Sequence, residues 1–365
     1  MQGSESVSAG STVHERASSR DALTRPVSTG ADKTRDALSQ DAFVTSNPIS
    51  RRRPVAWLAG LATAVLIVWI CLGVQGDGWA VPDWSDPIFR GLRLPRVLSA
   101  LLVGAALAAA GAALQALFRN PLADPTLIGT SSGAALAVVS VMALGLSGIG
   151  LPLAAFGGGL LATWLLLGLA RVLGGGDIGL LLLGLVLATF SGSITGLLMF
   201  NSDDMALRSA MVWLSGHLGT VGHTPFALAA PVAFVGIALL LALGRDLDCM
   251  LLGEDDARAL GVNVGRVRVL TALGAALAVG AAVSIAGIIA FVGMMVPNAC
   301  ALVLGGGRRR LIAVSTLVGA VFLLVLDTLA RSVAYPLDMP VGLLAGLAGP
   351  VFFFWLLRRR ARGAA

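Results

Sequence analysis

Charged side chains are scarce in this 365-residue sequence, in which Asp, Glu, Lys and Arg together make up only 13% of the residues. That share is about half of what soluble domains usually carry. Hydrophobic residues reach 56%, and the mean hydropathy is +0.87. This balance excludes a water-soluble globular protein and is typical of a helical membrane protein with several spans.

Cysteine and histidine are also rare, with three of each, and none lies in a metal-binding or catalytic spacing. A disulfide framework and a zinc site are therefore not indicated. The sequence has no phosphate-binding motif of the G-x-x-x-x-G-K-[ST] kind, so the chain is not expected to be an ATPase or to bind a cofactor. Gly174, Gly176 and Gly179 fit G-x-G-x-x-G, but no strand precedes them, and the match is accidental as a nucleotide motif.

Two regions follow from the distribution of apolar residues. Residues 1–50 are polar and lack a hydrophobic period, which predicts a disordered tail, and residues 51–365 form the membrane domain. Ten apolar runs approach the roughly 20 residues needed to cross a bilayer. They are residues 55–74, 97–118, 126–146, 151–172, 178–200, 225–244, 267–285, 288–304, 311–330 and 341–357.

The distribution of basic residues orients these spans. Segments on one side, including both termini, carry sixteen Lys and Arg outside the tail, whereas the other side has only Arg90, Arg93, Arg96, Arg208 and Arg331. The richer side is predicted to be cytoplasmic. The net charge of +6 therefore reflects membrane orientation, and a nucleic-acid partner is not indicated.

Small residues recur three or four positions apart in three of the runs, a spacing that lets membrane helices approach closely. The run 97–118 carries no charge and has Gly104, Ala108 and Gly111 at this spacing, which predicts an interior helix. The fifth and tenth runs carry small residues at Gly192, Gly196, Gly342, Gly346 and Gly349.

The longest predicted cytoplasmic connection is the segment 245–268. Glu254, Asp255 and Asp256 suit the first turn of a short helix, which Gly261 can end. With an apolar face of Ala257 and Leu260, this helix could be a docking plug for a partner or a merely solvated connector; a second short helix within 261–268 is also expected.

Several ordered motifs resemble one transporter family. They are LRLPR at 92–96, RNPLADP at 119–125, GEDDA at 253–257, GIIAFVGMMVP at 287–297, DTLAR at 327–331 and PVG at 340–342. Together, over residues 55–357, they resemble the permease subunit of FecCD-type ABC importers for ferric siderophores, haem and vitamin B12. The resemblance implies an all-α protein of about ten transmembrane helices with type II ABC importer architecture.

It also implies partners and a location. A second permease subunit (identical or a paralogue), two ATPase subunits that bind ATP-Mg, and an extracytoplasmic substrate-binding protein are expected, in the cytoplasmic (inner) membrane of a bacterium. The cargo is expected to be a ferric siderophore, with haem or cobalamin as alternatives. A secondary transporter and a subunit that has lost transport are the competing classes.

The resemblance assigns roles to three sets of residues. Arg93, Arg96 and Arg331 would receive glutamates of the binding protein. The ATPase coupling helix would comprise Gly253, Glu254, Asp255, Asp256, Ala257, Leu260 and Gly261. Gly175, Gly176 and Asp177 would lie near a cytoplasmic gate.

Other roles for the arginines remain open. Arg93 and Arg96 could extend to lipid phosphates, and Arg331 could pair with Asp327, which precedes it by one helical turn. Asp327 is the sole acidic residue within the predicted spans and is expected to be solvated at a helix end. The absence of a buried proton relay argues against a secondary transporter.

The sequence departs from the family pattern after Pro297. Asn298 and Ala301 stand where the family has His and Arg, which puts the details of coupling or gating in doubt.

Overall fold

The computed structural model describes residues 53–75, 78–146, 148–174, 176–219, 222–333 and 335–363. The predicted tail, 1–50, lies outside these residues. Internal contacts divide the chain into residues 1–59, of which only the start of the first helix is described, and residues 60–365. The helices are α1 (Arg53–Gly73), α2 (Leu94–Leu117), α3 (Thr130–Ala143), α4 (Leu151–Leu173), α5 (Gly176–Phe200), α6 (Asp204–Leu214), α7 (His223–Ala242), α8 (Gly244–Met250), α9 (Glu254–Ala259), α10 (Val264–Ala286), α11 (Val292–Val303), α12 (Arg308–Val333) and α13 (Val341–Gly363).

The all-α prediction is confirmed. By length and composition six described helices can cross a membrane, and four shorter apolar helices account for the other predicted runs. Two-residue strands, β1 (Val74–Gln75) and β2 (Gly78–Trp79), form a small antiparallel hairpin after α1. Helix α6, in the connection 201–222, was not expected from the sequence. Its first turn is capped by the Asp203 carboxylate, which accepts a hydrogen bond from the Ala206 amide at 2.7 Å.

Helix α2 is the central helix of residues 60–365, as its small residues predicted. Its most apolar window is 83% buried, and it packs against α7, α10, α11 and α12. A Cβ atom at Gly104 would overlap the backbone of Gly319 on α12, and one at Gly111 would overlap that of Gly293 on α11. These glycines let the backbones approach more closely than any larger residue would permit.

Helix α5 behaves differently, since only 22% of its most apolar window is buried. Among the described residues, no heavy atom beyond the adjoining backbone of α5 lies within 4 Å of a Cβ built at Gly192 or Gly196. The small-residue pattern of α5 therefore makes no close helix contact with the described residues of this chain.

Helices α3 and α11 are too short to span a hydrocarbon core on their own. With 14 and 12 residues they extend about 21 and 18 Å, against a core of about 30 Å. The remaining depth is covered by a 3₁₀ turn, Pro125–Ile128, and by residues 287–291. Pro125 packs against Gly293, which itself lies beside Leu107 in the middle of α2, so the chain after α2 folds back along that helix.

Side-chain amides satisfy the backbone of these irregular segments. Gln115 donates from Nε2 to the Met294 carbonyl at 3.2 Å. Asn298 donates from Nδ2 to the Pro121 carbonyl at 2.6 Å and to the Met294 carbonyl at 2.9 Å. In a low-dielectric interior an unpaired carbonyl is costly. Asn298, where the sequence departs from the family, thus joins α11 to the turn after α2.

Candidate functional sites at the two ends of the helices

The predicted site residues lie at opposite ends of the membrane-spanning helices. Helix α2 begins near Arg96 and ends close to the segment that contains Glu254. We call these the Arg96 end and the Glu254 end. Helix α12 runs the other way, with the backbone amide of Arg308 donating to Asp248 at 2.8 Å near the Glu254 end and Asp327 at the Arg96 end.

Arg96 is held by two acidic side chains of its own chain. Its Nε and Nη2 atoms donate to the Asp327 carboxylate at 2.9 to 3.2 Å, and Nη1 donates to Asp338 Oδ2 at 2.7 Å. The Arg96 side chain is only 13% exposed. A planar guanidinium suits such two-sided recognition of carboxylates.

The expectation that Asp327 is solvated is wrong. Its side chain is 1% exposed, and it faces Arg96, which is 231 positions away in the sequence. A buried carboxylate needs a positively charged partner. Helix α2 supplies that partner, Arg96, because it packs closely against α12. The helical ion pair between Asp327 and Arg331 does not form in the described structure.

The side chain of Arg331 instead binds backbone carbonyls at the carboxyl end of α1. Its Nη2 atom donates to the Cys71 carbonyl at 2.7 Å and its Nη1 to the Val74 carbonyl at 3.1 Å. The last carbonyls of a helix lack partners within the helix, and a cation there also favours the helix dipole. Arg331 therefore fixes the end of α1 against α12.

Arg93 is the exception among the three predicted docking residues. It lies in the π-helical turn Phe89–Arg93 that precedes α2, and it is partly exposed. Among the described residues its guanidinium has no hydrogen-bond or ion-pair partner. The structure thus brings all three arginines to one end of the helices but leaves only Arg93 uncommitted.

Asp338 and His217 complete the cluster. The sequence did not predict either of them as a site residue. Asp338 lies between α12 and α13, and its Oδ2 atom is 3.9 Å from His217 Nε2. Burial acts to raise the pKa of Asp338, but the hydrogen bond to Arg96 and the charges of Arg96, His217 and Arg331 together lower it below its usual value. Burial lowers the pKa of His217, which favours its neutral form at pH 7.

The loops around this cluster are joined through their backbones. Gly342 donates to the Gly216 carbonyl at 3.1 Å, and His217 donates to the Ala286 carbonyl at 2.9 Å. A Cβ at Gly219 would overlap the Asp338 carboxylate, so only glycine admits this contact. The start of α13 is therefore connected through the loop 215–219 to the end of α10.

At the Glu254 end, the short helix expected from the sequence is present as α9. Gly253 and Gly261 border it with φ angles of +125° and +85°, which favour glycine. Ala257 is buried and Leu260 is 61% exposed. The further short helix expected within 261–268 is absent, because α10 begins at Val264 and continues to Ala286.

Ion pairs hold α9 to α10. Glu254 accepts from Arg258 within α9 and from Arg268 on α10, both at 2.7 Å. Asp255, which is 99% exposed, also pairs with Arg258, at 2.8 Å. Exposed pairs contribute little stability, but Glu254 and Arg268 are about 20% exposed and define the orientation of α9 more firmly.

The predicted gate turn lies next to α9. Gly176 has a φ of +61°, and a Cβ there would lie 3.4 Å from the Glu254 carboxylate. Asp177 occupies the first turn of α5, and Gly175 lies outside the described residues. A cavity of about 560 Å³ opens between this turn and the start of α10, and its basic lining residues are Arg171, Arg266 and Arg268.

Within the described residues, no group of three His, Cys, Asp or Glu side chains could hold a metal ion.

The match to a family decides what the two ends belong to. The sequence model of the FecCD transport family matches residues 53–359, which include both clusters. The chain belongs to the FecCD transport family. It is thus a membrane-spanning permease of an ABC importer.

Curated relatives agree with this assignment. The chain is 43% identical to the cobalamin import system permease protein BtuC of Halobacterium salinarum, over 77% of this chain and 76% of that protein. It is 39% identical to the hemin transport system permease protein HmuU of Yersinia pestis, over 75% and 84%. Identity to the Fe(3+) dicitrate transport system permease protein FecC of Escherichia coli is 37%, over 83% and 97%.

A solved structure shares the fold. It is described as a metal-chelate type ABC transporter in an inward-facing conformation and superposes with a TM-score of 0.75 at 31% identity, covering 82% of this chain and 98% of that one. The FecCD permease assignment therefore has support from both sequence and fold.

Proposed function

We propose that this FecCD permease carries a ferric siderophore across the cytoplasmic membrane of a bacterium. It works with a second permease subunit, two ATPase subunits that bind ATP-Mg, and a substrate-binding protein. The family match over residues 53–359, which contains both clusters, is the observation that carries the proposal. The excess of basic residues supports a cytoplasmic Glu254 end and cytoplasmic termini.

The Arg96 end would then receive the binding protein. Arg93 is best placed for a carboxylate of that partner, because its guanidinium has no partner among the described residues. Arg96 and Arg331 lie at the same end, and each already makes bonds within the chain. We infer that Arg93 makes the first contact and that Arg96 and Arg331 join only if their present bonds rearrange.

The Glu254 end would receive an ATPase subunit. Leu260 offers an exposed apolar contact, while the buried Ala257 anchors α9 to its own chain. Movement of α9 would pass through Glu254 to Arg268 on α10 and to the turn at Gly176 that begins α5. This arrangement supports α9 as the coupling helix and the adjacent turn as a gate.

The proposed cargo belongs to the class of compound for which the relatives are named. The relatives are named for cobalamin, hemin and ferric dicitrate, which are all large metal complexes. A ferric siderophore fits this class, and haem and cobalamin are the alternatives within it. The cargo would travel along the interface between the two permease subunits.

Uptake into proteoliposomes that contain the complete transporter tests these assignments. We expect ATP-dependent uptake of ferric siderophore, reduced about tenfold or more by Arg93→Glu, as for a central interface charge. Arg208→Glu is the matched control, since Arg208 is an exposed arginine of α6, which lies in the connection between α5 and α7 at the Arg96 end. This substitution should change uptake less than about twofold.

A substitution in the segment of α9 tests its proposed role in coupling to the ATPase. Leu260→Asp should uncouple ATP hydrolysis from uptake or release the ATPase, whereas binding-protein docking remains. Transport without ATP would point to a secondary transporter. Uptake of haem or cobalamin in place of siderophore would correct the cargo but not the permease assignment.

A further inference from the structure

The two carboxylates on Arg96 differ in how firmly they are held. Asp327 is 1% exposed, projects from α12 and binds Arg96 through three hydrogen bonds. Asp338 is 41% exposed, lies in the connection between α12 and α13, and makes one bond with Nη1. Exposed ion pairs exchange easily with water or another carboxylate, and buried pairs do not.

Each guanidinium nitrogen of Arg96 already donates to Asp327 or Asp338, so a third carboxylate must compete for Arg96 while Asp338 stays in place. Asp327 and Asp338 place two carboxylates against the guanidinium of Arg96. An approaching carboxylate would therefore meet the Asp338 carboxylate in front of a guanidinium that is only 13% exposed. Like charges brought together across an interface oppose binding.

We propose that Asp338 is an internal competitor that occupies Arg96 until a carboxylate of the substrate-binding protein displaces it. The inference rests on the proposed function and adds a regulatory step to that docking site. In the exchange the incoming carboxylate accepts the Nη1 hydrogen bond, Asp338 turns into water, and Asp327 keeps Arg96 in place. No proton needs to move, because both carboxylates are ionised before and after.

Displacement of Asp338 from Arg96 would affect the start of α13. The Asp338 carboxylate contacts Gly219 and lies near His217, in the loop that binds Gly342 at the start of α13. The Arg96–Asp338 bond is the ionic link from α2 to this loop junction. Its release removes this link when the binding protein arrives, so docking loosens the start of a membrane helix.

The affinity of the loaded binding protein for the complete transporter in nanodiscs tests the proposal. Asp338→Asn removes the competitor and one negative charge, so binding should tighten about fivefold, and Arg96→Gln should weaken it. In the Arg96→Gln background, Asp338→Asn should have no further effect. Asp338→Glu should resemble wild type, which shows that a carboxylate at this position suffices.

Asp204→Asn is the matched control because it removes another exposed carboxylate, in the connection between α5 and α7. It should change affinity less than about twofold. Weaker or unchanged binding by Asp338→Asn would show that Asp338 positions Arg96 or plays no part, and it would overturn the proposal. An equal effect of Asp338→Asn with and without Arg96 would overturn it as well.

Hydrogen exchange supplies a second readout. Exchange of the Gly342 amide, which donates to the Gly216 carbonyl at 3.1 Å, should speed up when the binding protein docks on wild type, and it should already be fast in free Asp338→Asn. Slow exchange in the docked wild-type complex would overturn the release step. If the binding protein docks on Arg96→Gln as tightly as on wild type, the importer function stands and the competitor role of Asp338 is overturned. If the binding protein does not dock on wild type at all, both are overturned.

Discussion

Helices α2 and α5 carry the same kind of small-residue pattern and occupy opposite environments. The most apolar window of α2 is 83% buried, and that of α5 is 22% buried. Gly111 of α2 lies against the backbone of Gly293, whereas Gly192 of α5 has open space around it in the described chain. A small-residue motif therefore shows that close approach is possible, and the partner must be found from the rest of the structure.

The difference extends to polar side chains. Around α2, Arg96 pairs with Asp327, and Gln115 binds the Met294 carbonyl. The hydroxyls of Thr189 and Ser193 on α5 bind only carbonyls of their own helix, four residues earlier. Interior helices of a membrane protein thus use polar groups between helices, while an open helix satisfies them locally.

The largest expected effect comes from closing the space beside α2. Gly111→Ala places a Cβ where the Gly293 carbonyl now lies, and because that neighbour is backbone it cannot rotate away. We expect the free energy of unfolding to fall by about 3 kcal/mol or more. Thermal unfolding in detergent, followed by size exclusion, would measure the loss. A stable Gly111→Ala protein would show that α2 and α11 can move apart.

Removing the buried charge at the Arg96 end should have the next largest effect. Asp327→Asn removes the buried carboxylate that accepts three hydrogen bonds from Arg96 and leaves Arg96 paired with the more exposed Asp338, and we expect a loss of about 3 kcal/mol. Asp204→Asn, at an exposed site in the connection between α5 and α7, should change stability by less than about 0.5 kcal/mol. Equal melting temperatures for Asp327→Asn and wild type would mean that Asp338 alone suffices for Arg96.

A smaller effect is expected from the amide that joins α11 to the turn after α2. Asn298→Ala leaves the Pro121 carbonyl without its 2.6 Å bond, at a cost of about 1 to 2 kcal/mol. Asn201→Ala is the matched control, because Asn201 at the end of α5 is exposed and binds only Leu197, at 2.8 Å. If both variants lose equal stability, the bond across the turn contributes nothing beyond the local one.

Local features of this chain could be predicted from its sequence. The ten apolar runs correspond to apolar helices, and α9 begins and ends between Gly253 and Gly261 as capping rules indicate. The interior position of α2 followed from its lack of charge and its small residues. Each of these features depends on residues within one helix, so a short window of sequence contains the information.

Long-range pairing could not be predicted in the same way. The Arg96–Asp327 bond joins residues 231 positions apart, whereas the sequence suggested the nearer pair of Asp327 with Arg331. Nothing local marks Asp338 as a partner of Arg96. The shortness of α3 and α11 likewise depends on the fold of the segments before them, which apolar composition alone does not reveal.

The smallest expected effect on stability comes from the same substitution on the open helix. Gly192→Ala meets no atom within 4 Å in the described chain, and alanine is the better helix former. The unfolding free energy of the isolated subunit should therefore stay constant or rise by up to about 1 kcal/mol, in contrast to Gly111→Ala. If the variant unfolds more easily only in the assembled transporter, the open face of α5 packs against another subunit there. Destabilisation of the isolated subunit itself would mean that α5 closes onto its own chain and that the contrast with α2 is false.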